Sequence, residues 1–243
     1  MLPVDDLGEP VPLPDRPRRV VSLVPSLTES VPVEALAGVT DYCPVDVTRI
    51  GGSKYPDVDR VLALKPDLVL ANVEENRPED VDHLRANGVS VWVTAAPATV
   101  LQALASIRRL LATAWDLEPD WLIQAEELWR HVEPTWATAV IPVWRRPWIV
   151  LGRDTFAGDV LHRLGIANVY ADHAERYPRP KLEELRATNA DLVILPDEPY
   201  AFTETDGPEA FPGMRCELVS GRHLTWYGPS LLEAREVLAM ERR

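Results

Sequence analysis

The ten residues VLALKPDLVL, from Val61 to Leu70, return in altered form as LRATNADLVI, from Leu185 to Ile194. Asp67 falls on Asp191, an offset of 191 − 67 = 124. The same offset carries Val58 onto Leu182, Asp59 onto Glu183 and Glu74 onto Glu198. Gly38-Val39 and Gly165-Ile166 match at an offset of 127. Matches in one order at a nearly constant offset confine the chain to two copies of one plan.

The plan itself is legible in the first copy. Val20 to Val24, Asp67 to Ala71 and Val89 to Thr94 are apolar runs of the kind that form strands buried on both faces. Between the last two, Arg77 to Asn87 reads as a helix ended by Gly88. Strand, helix, strand in that order is a parallel βαβ unit. From Thr99 to about Ala114 the apolar spacing is helical, and a second helical stretch starts after Pro119 and runs towards Ala139, kinked or ended early by Pro134. The alternation restarts at Trp148 to Leu151, with a helix at Phe156 to Leu164, DLVIL at Asp191 to Leu195 and a last strand at Glu217 to Ser220. The expected architecture is α/β. Two similar Rossmann-like lobes with parallel sheets, 1–98 and 140–243, are joined by a long helical bridge, 99–139.

Ligands of open parallel sheets sit outside the carboxyl ends of the strands. VVSLVPSLTESV, at Val20 to Val31, places Ser26, Thr28 and Glu29 there. Ser26 and Glu29 also fit the S-x-x-E capping box, which satisfies free backbone N–H groups with no ligand. Capping is the better reading of those two alone.

A net charge of −13 argues against a nucleic-acid partner, which calls for a basic face. Cys43 and Cys216 make neither a disulfide framework nor a zinc spacing. No run approaches the roughly 18 apolar residues of a membrane span. The opening MLPVDDLGEPVPLPDRPRR has no apolar leader segment and no cysteine for lipid attachment, so the expected location is cytoplasmic, or extracytoplasmic if the true start lies upstream.

RRVVSLVPSLTES, GVTDYC and VDRVLALKPDLVL together resemble the periplasmic-binding fold of cobalamin, haem and ferric-siderophore ABC importers, and the resemblance runs from DDLGEPVPLP to WYGPSL. It implies two α/β lobes bridged by one long backbone helix, a ligand cleft between them, little closure and no catalysis. It also implies that Tyr42 matches an aromatic of the corrinoid pocket. Ser53 and Tyr177 stand where cobalamin binders have tryptophans, and Trp144 stands at an aromatic position. Asp59 and Glu183 fall on two acids, one per lobe, that dock on permease arginines. Both equally suit solvated first-turn acids at a helix N-terminus.

The residues themselves place candidates on loops after strands. The first lobe offers Tyr42, Gly51, Gly52, Ser53, Glu74, Glu75 and Asn76. The second offers Trp144, Arg145, Asp154, Thr155, Tyr177, Glu198, Tyr200, Trp226 and Tyr227. Aromatic walls with a few polar groups suit a flat macrocycle or chelate. A carboxylate from each lobe, Glu74 and Glu198, suits a cation instead. Trp92, Trp115, Trp121 and Trp129 lie within strands or helices, where packing is the expectation. The five histidines are dispersed, and neither an H-E-x-x-H spacing nor a G-x-S-x-G elbow occurs, so no catalytic residue or resident cofactor is expected. The expected protein is a monomeric binder of a corrinoid, haem or ferric chelate with an ABC permease as partner. The alternatives are a stand-alone cytoplasmic binder or sensor of a small polar or cationic ligand, or an enzyme using the same cleft.

Overall fold

The computed structural model describes residues 2–241. The chain divides into two compact units, Met1–Ala96 with Leu104–Leu122, and Pro97–Ala103 with Ile123–Arg243. The first contains β1 (Val20–Ser22), α1 (Pro25–Thr28), β2 (Leu36–Val39), β3 (Thr48–Arg49), α2 (Val58–Ala63), β4 (Leu68–Asn72), α3 (Pro78–Ala86) and β5 (Val91–Thr94). Its strands pair in parallel, in the order β3-β2-β1-β4-β5. Then come α4 (Val100–Trp115) and α5 (Asp120–Arg130), whose residues are shared between the units. The second unit continues with β6 (Ala137–Val140), β7 (Pro142–Arg145), β8 (Trp148–Val150), α6 (Phe156–Arg163), β9 (Ile166–Asn168), α7 (Leu182–Arg186), β10 (Leu192–Pro196), β11 (Arg215–Val219), α8 (Gly221–Thr225) and α9 (Leu231–Val237).

The second parallel sheet has the order β9-β6-β10-β11, which repeats β2-β1-β4-β5 of the first strand for strand. The fold is α/β, with one parallel sheet per unit. Both middle strands are buried along their whole length, as expected of parallel strands covered on both faces. Val69, Ala71 and Leu84 belong to the core of the first unit, and Val193, Leu195 and Phe211 to that of the second.

Asp67 and Asp191 explain why the repeat is strongest at DLV. Each stands one residue before a middle strand and ties it to its neighbour. The Asp67 carboxylate accepts from the backbone N–H groups of Arg18 and Arg19, at 2.8 and 3.0 Å, just ahead of β1. The Asp191 carboxylate accepts from Thr138 N and Oγ1 on β6, at 2.8 and 2.7 Å. These Thr138 bonds hold the Asp191 carboxyl below its ordinary range. A depressed folded-state value means stability that is present above the ordinary carboxylate pKa and is lost as pH falls through the lowered one. Acid unfolding of an Asp191→Asn variant should therefore be less steep with pH than that of the parent. Parallel pH melts are the check, and identical slopes would refute the role. The glycine match at offset 127 is looser. Gly38 lies inside β2, whereas Gly165 is the turn residue before β9, with φ of 80°.

Three local expectations need correction. The capping box does not form: Pro25 takes the first helical position, which moves the cap to Val24, with no side-chain cap, and leaves Ser26 inside the helix. Ser26 and Thr28 are buried rather than presented to a ligand. Thr28 Oγ1 bonds Ser22 Oγ at 2.9 Å and lies 3.3 Å from Cys43 Sγ, so it closes a polar contact inside the unit. The second helix ends early, as Pro134 led one to expect: it stops at Arg130, because Pro134 has no N–H for the Arg130 carbonyl and its ring crowds that carbonyl. Beyond it β6 is the true first strand of the second sheet. The Trp148 run is instead β8, the antiparallel partner of β7 in a hairpin. Within the helical segment, Asp116 adopts a left-handed φ of 54° and separates α4 from α5. Of the tryptophans expected to pack, Trp92, Trp115 and Trp129 are buried and Trp121 is half-buried.

Candidate functional site

In the first unit every strand of the parallel sheet ends at one edge, and the predicted residues are on the loops of that edge. Tyr42 follows β2, is 68% exposed, and lies against Gly52, where a Cβ would stand 3.8 Å from its ring. Ser53 follows β3 and is half-buried. Glu74 and Glu75 follow β4, and Glu74 N donates to Asn72 Oδ1 at 2.8 Å. Buried Asn76 joins these loops: its Nδ2 donates to Ser53 O at 2.9 Å and to Leu23 O at 3.2 Å. Tyr55, not singled out from the sequence, is 70% exposed in the loop of Ser53, with the Arg77 guanidinium 5.0 Å from its ring centroid. An exposed aromatic two residues after Ser53 was readable in principle.

In the second unit, β7 carries Trp144 beyond β6, and its ring meets Tyr200 edge-on, with centroids 5.6 Å apart. The Tyr200 hydroxyl donates to Asp206 at 2.6 Å, which fixes that ring. Arg145 is engaged within the unit by Asp206 and Glu209, and its guanidinium lies 5.7 Å from the Trp148 ring centroid. Tyr177 is 40% exposed on a segment held from both sides, by Gly152 N to Arg176 O and Val150 N to Pro178 O. Glu198 follows β10 and is half-buried. Burial and the neighbouring Asp197 raise its pKa, against the opposing pull of the Trp226 N–H, Arg222 and His223. Gly221 is required beside it, since a Cβ there would stand 2.6 Å from Glu198 O and 2.7 Å from Glu198 N. Trp226 itself has the Arg222 guanidinium 5.1 Å from its ring centroid.

Other predicted loop residues serve the fold. Tyr227 is buried edge-on against Phe156, and Thr155 is buried with its hydroxyl 3.4 Å from Gly152 O. Asp154 is paired with Arg153 at 2.7 Å. Asp59 and Glu183 are both exposed second residues of short helices, α2 and α7, as the repeat requires. Beside Asp59 is a cavity of about 480 Å³ whose lining includes Asp57, Glu79, Asp80 and His83.

A chain 26% identical over 194 residues, spanning 73% of this chain and 71% of its own, is the vitamin B12-binding protein of Salmonella choleraesuis. The vitamin B12-binding protein of Vibrio cholerae is 20% identical over 210 residues, or 80% of this chain and 75% of its own. Among solved structures, the periplasmic vitamin B12 binding protein BtuF of Vibrio cholerae matches with a TM-score of 0.73 at 20% identity, covering 93% of this chain and 95% of that one. The periplasmic heme-binding protein RhuT of Roseiflexus sp. RS-1 also matches with a TM-score of 0.73 at 20% identity, covering 90% and 97%. These likenesses extend the repeated sheet order to a known fold, and the periplasmic binding protein family model itself matches residues 27–211. The chain belongs to the periplasmic binding protein family.

Proposed function

We propose that this protein binds a corrinoid or a similar flat metal chelate such as haem, and hands it on without chemical change. The observation that carries the reading is the exposure of large aromatics beyond the strand ends: Tyr42 on a loop of the first unit, and in the second Trp144 on the hairpin strand β7 and Tyr177 on a loop. Exposed rings normally cost solvation, and they become favourable when a flat apolar surface covers them. Ser53, Glu74, Glu75, Glu198, Tyr200 and Trp226 supply the polar and edge contacts. Arg145 has a lesser part, since two carboxylates already hold it. The vitamin B12- and heme-binding names of the relatives favour the same ligand class.

One stacked ring contributes on the order of 1 kcal/mol beyond the area it buries. Trp144→Ala should therefore weaken binding of cyanocobalamin or hemin by about tenfold or more, because 1.4 kcal/mol is a factor of ten. Titration calorimetry reads this directly, and an unchanged affinity would remove Trp144 from the site. Recovery of chemically intact ligand after prolonged incubation is the expected result for a binder, and turnover would favour the enzyme reading.

The partner in this reading is an ABC permease, docked through Asp59 and Glu183. Delivery to an importing permease requires an extracytoplasmic site of action. Reversing both charges, Asp59→Lys with Glu183→Lys, should leave ligand affinity unchanged and abolish stimulation of the permease ATPase by loaded protein. Full stimulation by the double variant would reduce the two acids to solvated helix starts.

A further inference from the structure

The carboxyl edge of the first sheet is fastened by two buried asparagines, four residues apart. Asn72, the last residue of β4, donates through Nδ2 to Thr94 Oγ1 at 3.0 Å and to Ala95 O at 3.1 Å, which ties β4 to the end of β5. Its Oδ1 accepts from Glu74 N at 2.8 Å. Asn76 reaches the other way, donating to Leu23 O beyond β1 and Ser53 O beyond β3, while its Oδ1 accepts from Asn72 N at 2.8 Å. Both residues are 2% exposed. Four strand-end segments thus converge on one pair of amides, including the loops of Ser53 and of Glu74 and Glu75.

The second unit lacks this pair; its strand-end amide is Asn168, the last residue of β9, whose Nδ2 donates to Leu151 O at 2.9 Å and Gly152 O at 3.2 Å and whose Oδ1 accepts from Tyr170 N at 3.0 Å. At the offset of 124 residues, Asn72 corresponds to Pro196 and Asn76 to Tyr200, and neither can bridge loops in this way. Tyr200 spends its hydroxyl on Asp206, six residues away. The repeated fold therefore forms without amides at these two places, and the two-asparagine clasp that joins the Ser53 and Glu74 loops belongs to the first unit alone.

We propose that Asn76, seated on Asn72, is a positioning residue for ligand binding: it holds the Ser53 and Glu74 loops in their bound arrangement before the ligand arrives. The proposal rests on the reading that these loops touch the ligand. A buried amide suits the task, because it offers donors and an acceptor at once without the desolvation cost of a charge. If the loops are ordered only part of the time, the apparent dissociation constant rises as the reciprocal of the ordered fraction.

The test is Asn76→Asp, which keeps the shape and the acceptor but turns the donor towards Leu23 O and Ser53 O into a second acceptor. Asn76→Ser, which is too short to reach either carbonyl, is the companion should the first variant fold poorly. Asn87→Asp makes the same chemical change at an exposed helix end and is the control. In hydrogen exchange without ligand, amides of Gly52–Tyr55 and Glu74–Asn76 should exchange at least about tenfold faster in either variant, with β1 and β4 protected as in the parent and the control unchanged. With cyanocobalamin or hemin, whichever the parent binds, association should slow by about tenfold while dissociation stays within about twofold. Loop exchange equal to the parent's, or exchange raised evenly through the sheet, would overturn the clasp. A parent that binds neither probe would overturn the ligand reading and leave the exchange result to decide the clasp.

Discussion

Trp129→Ala should lower the stability of the second unit by about 4 kcal/mol, the usual cost of emptying a core site of this size. Trp129 is fully buried on α5. Its indole N–H donates to Leu231 O on α9 at 2.9 Å, and its backbone carbonyl accepts from Arg163 on α6. The Arg235 guanidinium lies 5.2 Å from the ring centroid and donates onward to Leu128 O, His131 O and Arg163 O. The side chain thus ties α5 to α9, and its removal leaves a cavity, a lost hydrogen bond and an arginine without its platform, while the Arg163 bond to the Trp129 backbone remains. The melting temperature should fall on the order of 10 °C. Ligand affinity measured well below the melt should stay close to that of the parent, in contrast to Trp144→Ala. Calorimetric melts with and without ligand separate the two, and a Trp129→Ala protein with parental stability would contradict the assignment.

Gly152→Ala should be almost as damaging, and it should also reach the binding surface. A Cβ at Gly152 would stand 2.1 Å from Glu175 O, 2.8 Å from Pro178 Cδ and 3.1 Å from Arg176 O. The nearest of these is backbone, which no change of rotamer relieves, so the 175–178 segment must move. Movement breaks the Gly152 N to Arg176 O and Val150 N to Pro178 O bonds, at 2.8 and 3.0 Å. Overpacking of about 1–3 kcal/mol, with about 1 kcal/mol for each lost hydrogen bond, gives a loss of about 3 kcal/mol or more. Tyr177 rides on the displaced segment, so affinity should fall together with stability. Urea unfolding and ligand titration on one preparation test both parts. A stable variant that has lost only affinity would mean the segment moves at little cost.

The outline of the fold was legible because its repeated parts are local. Asp67 and Asp191 mark the two middle strands, and in each unit a short helix with an acidic second residue comes just before that mark. The β7–β8 hairpin was hidden because ATAVIPVW directly follows a helical pattern, and an apolar run so placed reads equally as its continuation. Ser26 and Glu29 matched a capping box in spacing, but Pro25 had already fixed where the helix begins. The candidate site could be read only as a set of segments after strands. Asn76 meets Ser53 across 23 residues and Leu23 across 53, while Glu209 meets Arg145 across 64. No local pattern records such pairings. Arg145 therefore looked like a ligand contact when its charge was already used inside the unit.

Exposed aromatics beyond the strand ends are proposed to carry a corrinoid or similar chelate. The most direct test is titration of the unmodified protein with cyanocobalamin, hemin and a ferric siderophore, read by calorimetry and by the ligand's own absorbance. At least one of the three should bind well below millimolar, with a spectral shift on binding and loss of affinity in Trp144→Ala. Failure of all three to bind below millimolar would contradict it and favour a small cationic ligand held by carboxylates such as Glu74 and Glu198.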